Sequence, residues 1–153
     1  MLKFGNIQEG KNCGEFVTPL PEIAKKLENI KAYLFDWDGV FNGGIKGVNV
    51  HSSFAEADSM GTNLLRFGSY LKNNSIPLMG IITGQNNSSA VTLAKREHFQ
   101  VLFHSLVDKK SALEYIEEHY KIDRKDILFV FDDVIDLPIA KECGLRFFVK
   151  RTP

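Results

Sequence analysis

The chain has 153 residues, 44% of them hydrophobic and 25% charged, and its 19 basic residues balance its 19 acidic ones. A chain of this size and composition can bury a core of its own, which excludes disordered and fibrous proteins. The zero formal charge gives no attraction to nucleic acid or to an anionic membrane, and no apolar run approaches the roughly 20 residues that cross a bilayer. The only cysteines, Cys13 and Cys143, show no metal-ligand spacing. We therefore expect a cytoplasmic protein without nucleic-acid or membrane partners.

Residues 1–30 are predicted to form an N-terminal extension, followed by the main domain over residues 31–153. In the extension, Pro21 can occupy the first turn of a helix, and Ile23, Leu27 and Ile30 follow at helical spacing. This pattern predicts a short amphipathic helix.

Short apolar runs alternate with helical patterns from residue 31 onward. The runs are dense enough to be buried on both faces, which is typical of strands in a parallel sheet. The predicted strands are residues 32–35, 78–83, 101–103, 127–131 and 146–149. This alternation predicts an α/β fold, a doubly wound parallel sheet in a three-layer α/β/α sandwich. Ligands in such folds bind at the carboxyl ends of the strands.

Three helices are predicted between the strands. The first is capped by Asp58 or Ser59 and carries Leu64, Leu65 and Leu71. The second is capped by Asn87 or Ser88. The third has an inner stripe formed by Ala112, Leu113, Ile116 and Tyr120. Residues 42–54 break the alternation, because glycines there surround β-branched residues. That segment is predicted to form a β-hairpin projecting from the sheet.

Two polar motifs follow the first two predicted strands. The first strand runs into Asp36-Trp37-Asp38-Gly39, and the second ends in Thr83-Gly84 before a helix. A hydroxyl and free backbone N–H groups at a helix start favour an anion. Each motif also has a purely structural interpretation, because Asp-Gly is common in turns and Thr-Gly can be an ordinary strand-to-helix connection.

A lysine and three acids follow the next two strands. Lys109 lies at a helix start, where the dipole disfavours a cation by about 0.3–1 kcal/mol unless it points to solvent or meets an anion. Asp132, Asp133 and Asp136 repel one another unless a cation lies among them. Magnesium suits this need, since it takes one or two carboxylates with waters and phosphate oxygens. The four strand ends together predict a site for Mg²⁺ and a phosphate beside a carboxylate nucleophile.

The order and spacing of these motifs resemble those of the haloacid dehalogenase superfamily of phosphatases. The resemblance covers about residues 32–149 and is closest to the capless branch that dephosphorylates 3-deoxy-D-manno-octulosonate 8-phosphate, in lipopolysaccharide biosynthesis, and related nine-carbon sugar acids. It implies a fold without a cap domain, a small phosphorylated sugar-acid substrate and a homotetramer. The stretch at residues 55–59 is more similar to the nonulosonate 9-phosphate enzymes.

The resemblance also implies catalytic and phosphate-binding roles. Asp36 would be the nucleophile that forms an aspartyl-phosphate. Asp38 would be the acid that protonates the leaving oxygen and the base that activates water. Thr83, Gly84 and Lys109 would bind the phosphoryl oxygens.

A metal site is implied in the same way. Mg²⁺ would be bound by Asp36, by Asp132 and by the backbone carbonyl of Asp38. Asp133 or Asp136 would orient the waters on the metal.

Two alternatives remain open from the sequence. One is a catalytically weakened relative that serves as a metal-binding oligomeric module, because Asn42 and Phe131 stand where the branch has Thr and Gly and the Gly-rich tail is absent. The other is a phosphorelay receiver domain, which carries similar groups on a doubly wound sheet but in a different order along the chain.

Overall fold

A single parallel sheet organises the part of the chain that the computed structural model describes, residues 15–50 and 52–150. Its strands are β1 (Ala32–Phe35), β2 (Leu78–Ile82), β3 (Val101–Phe103), β4 (Ile127–Phe131) and β5 (Leu145–Phe148). The α-helices in these ranges are α1 (Leu20–Leu27), α2 (Glu56–Asn73), α3 (Ser88–Arg96), α4 (Lys110–Tyr120) and α5 (Leu137–Ala140). All five predicted strands are confirmed, with ends that differ by one residue in β2 and β5.

The strand order is β3-β2-β1-β4-β5, and every neighbouring pair is parallel. All carboxyl ends therefore lie at one edge of the sheet, where α/β folds bind ligands. A receiver domain of the flavodoxin-like type would instead place its first strand between the second and third. The observed order rules out that alternative.

Alternate residues of β1 enter two separate cores, because successive strand side chains point to opposite faces. Ala32 and Leu34 pack with apolar residues of α4 and α5, whereas Tyr33 and Phe35 pack with residues of α3. Leu27, at the end of α1, packs against this second core. The arrangement is the predicted three-layer sandwich.

Phe131 belongs to the first of these cores. It is 3% exposed, and its ring stacks on Phe129 at a centroid distance of 5.6 Å. The ring therefore points into the sheet layer and leaves the loop after β4 open, so this bulky residue does not crowd the acids that follow it.

The predicted β-hairpin is wrong. No strand occurs in the described residues of the 42–54 segment, which runs as a loop with a turn in which the Val50 N–H lies 3.4 Å from the Gly47 carbonyl. An isolated two-stranded hairpin is only marginally stable. Glycines at positions 43, 44 and 47 weaken it further, so β-branched residues alone do not produce strands here.

Helix α2 differs from the prediction in both its start and its orientation. Ala55 is the N-cap residue, and the Asp58 carboxylate accepts its N–H at 2.7 Å from inside the first turn. Ser59 is buried, whereas the leucines assigned to this helix, Leu64, Leu65 and Leu71, are exposed. Polar contacts therefore determine how α2 is seated on the domain.

Most of the remaining predictions about the helices are confirmed. Helix α1 is present and buries Ile23, and the Asn87 side chain caps α3 by accepting the Ser89 N–H. Cys143 is buried, but Tyr120 is 40% exposed and so lies outside the predicted inner stripe of α4. Cys13 and the first residues of the extension lie outside the described residues. In the described ranges, no helix is both long and apolar enough to span a membrane.

Candidate active site

A cavity of about 620 Å³ opens at the carboxyl edge of the sheet. It is lined by the residues predicted from the sequence, namely Asp36, Asp38, Thr83, Gly84, Lys109, Asp132, Asp133 and Asp136. The ends of β1, β2 and β4 and the start of α4 supply them, because the parallel sheet brings those ends to one edge. The structure thus places every predicted site residue at one location.

Lys109 lies between two buried carboxylates. Its Nζ is 2.7 Å from Asp36 Oδ1 and 2.7 Å from Asp136 Oδ1. Burial raises the pKa of both Asp36 and Asp136 above the ordinary value, and the Lys109 ammonium opposes that rise. These two carboxylates compensate the positive charge of Lys109, which the helix dipole alone would disfavour at this position.

Asp38 is held by two groups from the loop that follows it. Lys46 donates to one carboxylate oxygen and Ser52 donates to the other. The Ser52 hydroxyl in turn accepts the Trp37 indole N–H at 2.8 Å and the Asn42 side-chain N–H at 3.0 Å. Because both donors point at the Ser52 oxygen, the hydroxyl proton is left to point at Asp38.

Asp132 packs directly on the backbone of Gly39. A Cβ atom at Gly39 would overlap the Asp132 carboxylate, and the Gly39 φ of +87° is also unfavourable for other residues. The carbonyl of Asp38 belongs to the peptide group that links Asp38 to Gly39. The glycine thus lets the Asp132 carboxylate reach the loop that carries this carbonyl.

Thr83 directly follows β2 at the cavity wall. It is 2% exposed, its N–H donates to the Phe103 carbonyl at 2.8 Å, and its hydroxyl oxygen accepts the Gln85 N–H at 3.3 Å. Gly84 follows with open space on its cavity side, where the nearest atom to a built Cβ is the Leu106 carbonyl at 3.9 Å. A hydroxyl and open backbone here can bind anionic oxygens.

The charges around the cavity do not balance. Six aspartates and three lysines line it, a formal excess of three negative charges. A phosphate dianion brought into such a cavity would be repelled unless a cation compensated the acids. The cavity therefore suits an anion only together with a positive ion.

The donor set fits a hard divalent cation. Asp36 and Asp132 supply carboxylates, and the Asp38 carbonyl adjoins the glycine on which Asp132 packs. Among the described residues, no group of three or more His, Cys, Asp or Glu side chains is arranged as a complete metal cage. Mg²⁺ needs no such cage, since it retains waters and shares substrate phosphate oxygens.

Asp133 and Asp136, which the resemblance assigns to the waters on the metal, both contact other groups of the protein. Asp136 is 1% exposed and is bound to Lys109, so its carboxylate faces an ammonium. Asp133 accepts the Ile135 N–H at 3.2 Å and so caps the short turn Val134–Asp136. Both line the cavity, but each already has a structural partner.

Sequence reasoning missed Ser52 and Gln85 and could not place Lys46. Lys46 donates to Asp38 and, at 3.1 Å, to Gln85 Oε1, which closes one side of the cavity. These residues lie in loops, whose course no periodicity reveals. Arg66 is not among the residues that line the cavity and donates to the Glu97 carbonyl at 2.8 Å.

Solved structures resemble this chain over most of its length, although no protein-family model matches it. The 3-deoxy-D-manno-octulosonate 8-phosphate phosphatase of Moraxella catarrhalis, in complex with magnesium, phosphate and KDO, is 24% identical with a TM-score of 0.71, covering 82% of this chain and 71% of that one. The cobalt-bound deoxy-D-mannose-octulosonate 8-phosphate phosphatase of Haemophilus influenzae is 23% identical with a TM-score of 0.68, covering 80% and 70%.

A third structure, from Legionella pneumophila, is described as that of a HAD superfamily (subfamily III A) hydrolase. It is 25% identical with a TM-score of 0.68, covering 81% of this chain and 66% of that one. The sheet, its strand order and the flanking helices account for this likeness. The chain thus has the fold of the haloacid dehalogenase superfamily.

Proposed function

We propose that this chain is a Mg²⁺-dependent phosphatase that hydrolyses a phosphorylated sugar acid through an aspartyl-phosphate intermediate. One observation carries the proposal: a buried carboxylate, a hydroxyl, an ammonium and a second carboxylate lie around one cavity at the ends of neighbouring strands. Phosphoryl transfer relies mainly on positioning and on compensation of charge, and these groups supply both.

Asp36 acts as the nucleophile. Its Oδ1 is held by Lys109 at 2.7 Å, which fixes the side chain and leaves the other oxygen free of that contact. A carboxylate oxygen attacks phosphorus, and the bond between phosphorus and the sugar oxygen breaks. The leaving oxygen takes a proton from Asp38, which then accepts a proton from the water that hydrolyses the aspartyl-phosphate.

The phosphoryl oxygens are bound by Thr83, by the backbone at Gly84 and by Lys109. Thr83 has a rigid backbone, since its N–H donates to the carbonyl of Phe103, the last residue of β3, and its carbonyl accepts the Leu106 N–H at 3.3 Å. Lys109 is fixed by Asp136 on its far side. A pre-positioned hydroxyl and ammonium need little reorganisation when charge develops.

Asp36, Asp132 and the Asp38 carbonyl would hold Mg²⁺. When bound, the ion neutralises the charge between the anionic nucleophile and the anionic substrate and polarises the phosphoryl group. Asp133, which lines the same cavity, would accept hydrogen bonds from waters in this region.

A sugar acid is the substrate class that the surroundings support. Lys46 lies at the cavity mouth, where its ammonium can meet a substrate carboxylate, and the cavity is large enough for an eight- or nine-carbon sugar. Two structures with the same fold are named as octulosonate 8-phosphate phosphatases. With no cap domain in the described ranges, we further propose that a homotetramer covers the site.

Phosphate release from a panel of sugar phosphates tests the proposal, with Mg²⁺ and with a chelator. We expect Mg²⁺-dependent release that Asp36→Asn abolishes, whereas Asp123→Asn, a matched change at an exposed aspartate paired with Lys125, leaves release unchanged. Equal release by wild type and Asp36→Asn would contradict the assignment.

A second candidate is a metal-binding module without turnover. The direct contact between Lys109 and Asp36 favours it, because this ion pair already compensates the nucleophile's charge. Mg²⁺ binding measured by calorimetry, with no release from any phosphate ester in the panel, would select this function over the phosphatase.

A further inference from the structure

Part of the lining of the active-site cavity is apolar and faces solvent. Val107 and Ile135 line the cavity, and the two residues are 98% and 73% exposed. Leu106 and Pro138 line it as well, and we call these four residues the apolar wall. Exposed apolar residues that gather at a cavity mark a surface that contacts a ligand. Neither a phosphoryl group nor a metal ion binds such side chains, so the apolar wall suits another part of a ligand.

The ion pair between Lys109 and Asp136 joins the two segments that carry the apolar wall. Val107 lies two residues before Lys109, and Ile135 lies one residue before Asp136. Because Lys109 Nζ is 2.7 Å from Asp136 Oδ1, the two segments meet on one side of the cavity. Val107 and Ile135 therefore belong to the same side of the cavity as the ammonium that binds the phosphoryl group.

Hydrogen bonds hold the backbone of both segments. Immediately before Val107, the Leu106 N–H donates to the Thr83 carbonyl at 3.3 Å. The Ile135 N–H donates to the Asp133 carboxylate at 3.2 Å. The two apolar side chains are thus presented by an ordered backbone, so a ligand that contacts them does not have to order these segments first.

Polar side chains form a separate part of the lining. Asp38, Lys46 and Gln85 line the cavity, and Lys46 donates to the other two. Ligand cavities commonly combine an apolar surface with a few polar groups that fix the orientation of the ligand. The two parts of this lining therefore suit a ligand that has one polar face and one apolar face.

The leaving group of a phosphate ester is the part that can reach the apolar wall. Asp36 is 7% exposed and so lies at the floor of the cavity, whereas Val107 and Ile135 are exposed and lie at its mouth. In an in-line displacement the leaving oxygen departs from the side of phosphorus opposite the nucleophile. Attack from the floor therefore directs the leaving group towards the mouth.

We propose that Val107 and Ile135 bind an apolar substituent of the leaving group, such as an alkyl or acyl group. The inference rests on the proposed function and narrows its substrate class. The ester carries an apolar substituent in addition to the polar groups that Lys46 can meet. A leaving group that is hydroxylated throughout gains nothing from the two apolar residues, so these residues discriminate between phosphate monoesters.

Binding of two phosphonates tests the inference without turnover. Methylphosphonate and butylphosphonate share the anionic head group and differ by three methylene groups. Calorimetric titration of the full chain in Mg²⁺ should show that butylphosphonate binds about tenfold more tightly, because each buried methylene gives roughly a fourfold gain and part of the alkyl chain stays in water. A double variant, Val107→Ser with Ile135→Ser, should reduce this preference to about twofold or less.

Two matched substitutions control for a general loss of exposed apolar surface. Val134→Ser alters a residue that is 68% exposed in the same short turn as Ile135 but does not line the cavity. Val17→Ser alters one that is 91% exposed and likewise not part of the lining. Both should keep the tenfold preference, and circular dichroism should show the same fold for all variants. Equal binding of the two phosphonates by wild type, or an unchanged preference in the double variant, would overturn the proposal.

Turnover separates this inference from the proposed function. Phosphate release is measured with butyl phosphate and with glycerol 3-phosphate, and each variant is compared with wild type on one ester at a time, so that the intrinsic reactivity of the esters cancels. The double variant should lower kcat/KM about tenfold for butyl phosphate and less than twofold for glycerol 3-phosphate. Equal effects on both esters would contradict the apolar contact alone. A preference for butylphosphonate without release from either ester would contradict only the phosphatase, and no binding of either phosphonate would contradict both.

Discussion

The indole N–H of Trp37 donates to the hydroxyl of Ser52 at 2.8 Å, and this bond joins the motif after β1 to the loop that follows it. The Ser52 hydroxyl donates onward to Asp38. Asn42 donates to the same oxygen at 3.0 Å, so Trp37 and Asn42 both orient the Ser52 hydroxyl. Their shared effect is to hold one Asp38 oxygen in place.

Ser52→Ala should lower kcat by about 10–100-fold with little change in KM, because Asp38 loses the donor that aligns it and small misplacements of a reacting group are costly. Ser52→Thr should restore most of the rate, since it retains the hydroxyl. Steady-state kinetics on the phosphate ester that the panel identifies would measure both. Ser53→Ala, at the adjacent exposed serine, is the control. A Ser52→Ala enzyme as fast as wild type would show that Asp38 is positioned without this hydroxyl.

Gly39→Ala should weaken Mg²⁺ binding by about 10–100-fold, the range seen when groups that orient metal ligands are altered. The added Cβ overlaps the Asp132 carboxylate, and the φ of +87° adds roughly 1–2 kcal/mol of strain for a residue other than glycine. Gly43→Ala is the matched control, because its nearest side-chain atom is 3.6 Å away. Calorimetric titration with Mg²⁺ would compare them, and equal affinities would remove Asp132 from the proposed ligands.

Lys109→Met should be both inactive and less stable. It leaves Asp36 and Asp136 buried without their shared cation, a loss of about 3–5 kcal/mol for a broken buried ion pair. Lys125→Met is the matched control, since the Lys125 ammonium lies on the surface beside Asp123, outside the cavity. Urea unfolding and phosphate release would separate the two variants. Similar unfolding midpoints would mean that the buried acids do not depend on Lys109.

The sequence was sufficient to predict the sheet and the residues at its edge, and the reason is physical. Strands such as β4 are apolar throughout, so they are recognisable without knowledge of their neighbours, and a parallel sheet necessarily brings the residues that follow them together. Asp36, Thr83, Lys109 and Asp132 were therefore predictable as a group.

Contacts between loops and faces were not predictable in this way. The pairing of Ser52 with Asp38 depends on the course of a glycine-rich loop, which has no periodicity. The seating of α2 was misjudged because Leu64 and Leu71 suggested an inward face, whereas hydrogen bonds of Arg66 and Ser69 decide the orientation. Periodicity identifies a helix but does not determine which of its faces meets the domain.

Glu97 makes the stability of the domain dependent on pH. It is 7% exposed at the end of α3, and burial alone would raise its pKa. A hydrogen bond from Asn63 and the charges of Arg96 and Arg66 together outweigh burial and hold the pKa below the ordinary value of 4.5. The folded state therefore binds this proton less readily than the unfolded state does, so stability rises with pH in this range.

Glu97→Gln should accordingly cost about 1–3 kcal/mol at neutral pH, where wild type has a hydrogen-bonded carboxylate. The contribution is fully present above pH 4.5 and is lost as the pH falls from that value through the lower folded pKa, so the variant and wild type should converge in acid. Urea unfolding over a pH series measures this difference. Glu118→Gln, at an exposed position on α4, is the control and should follow wild type throughout. A stability gap between Glu97→Gln and wild type that stays constant into acid would show that the Glu97 carboxylate is not the source of the pH dependence.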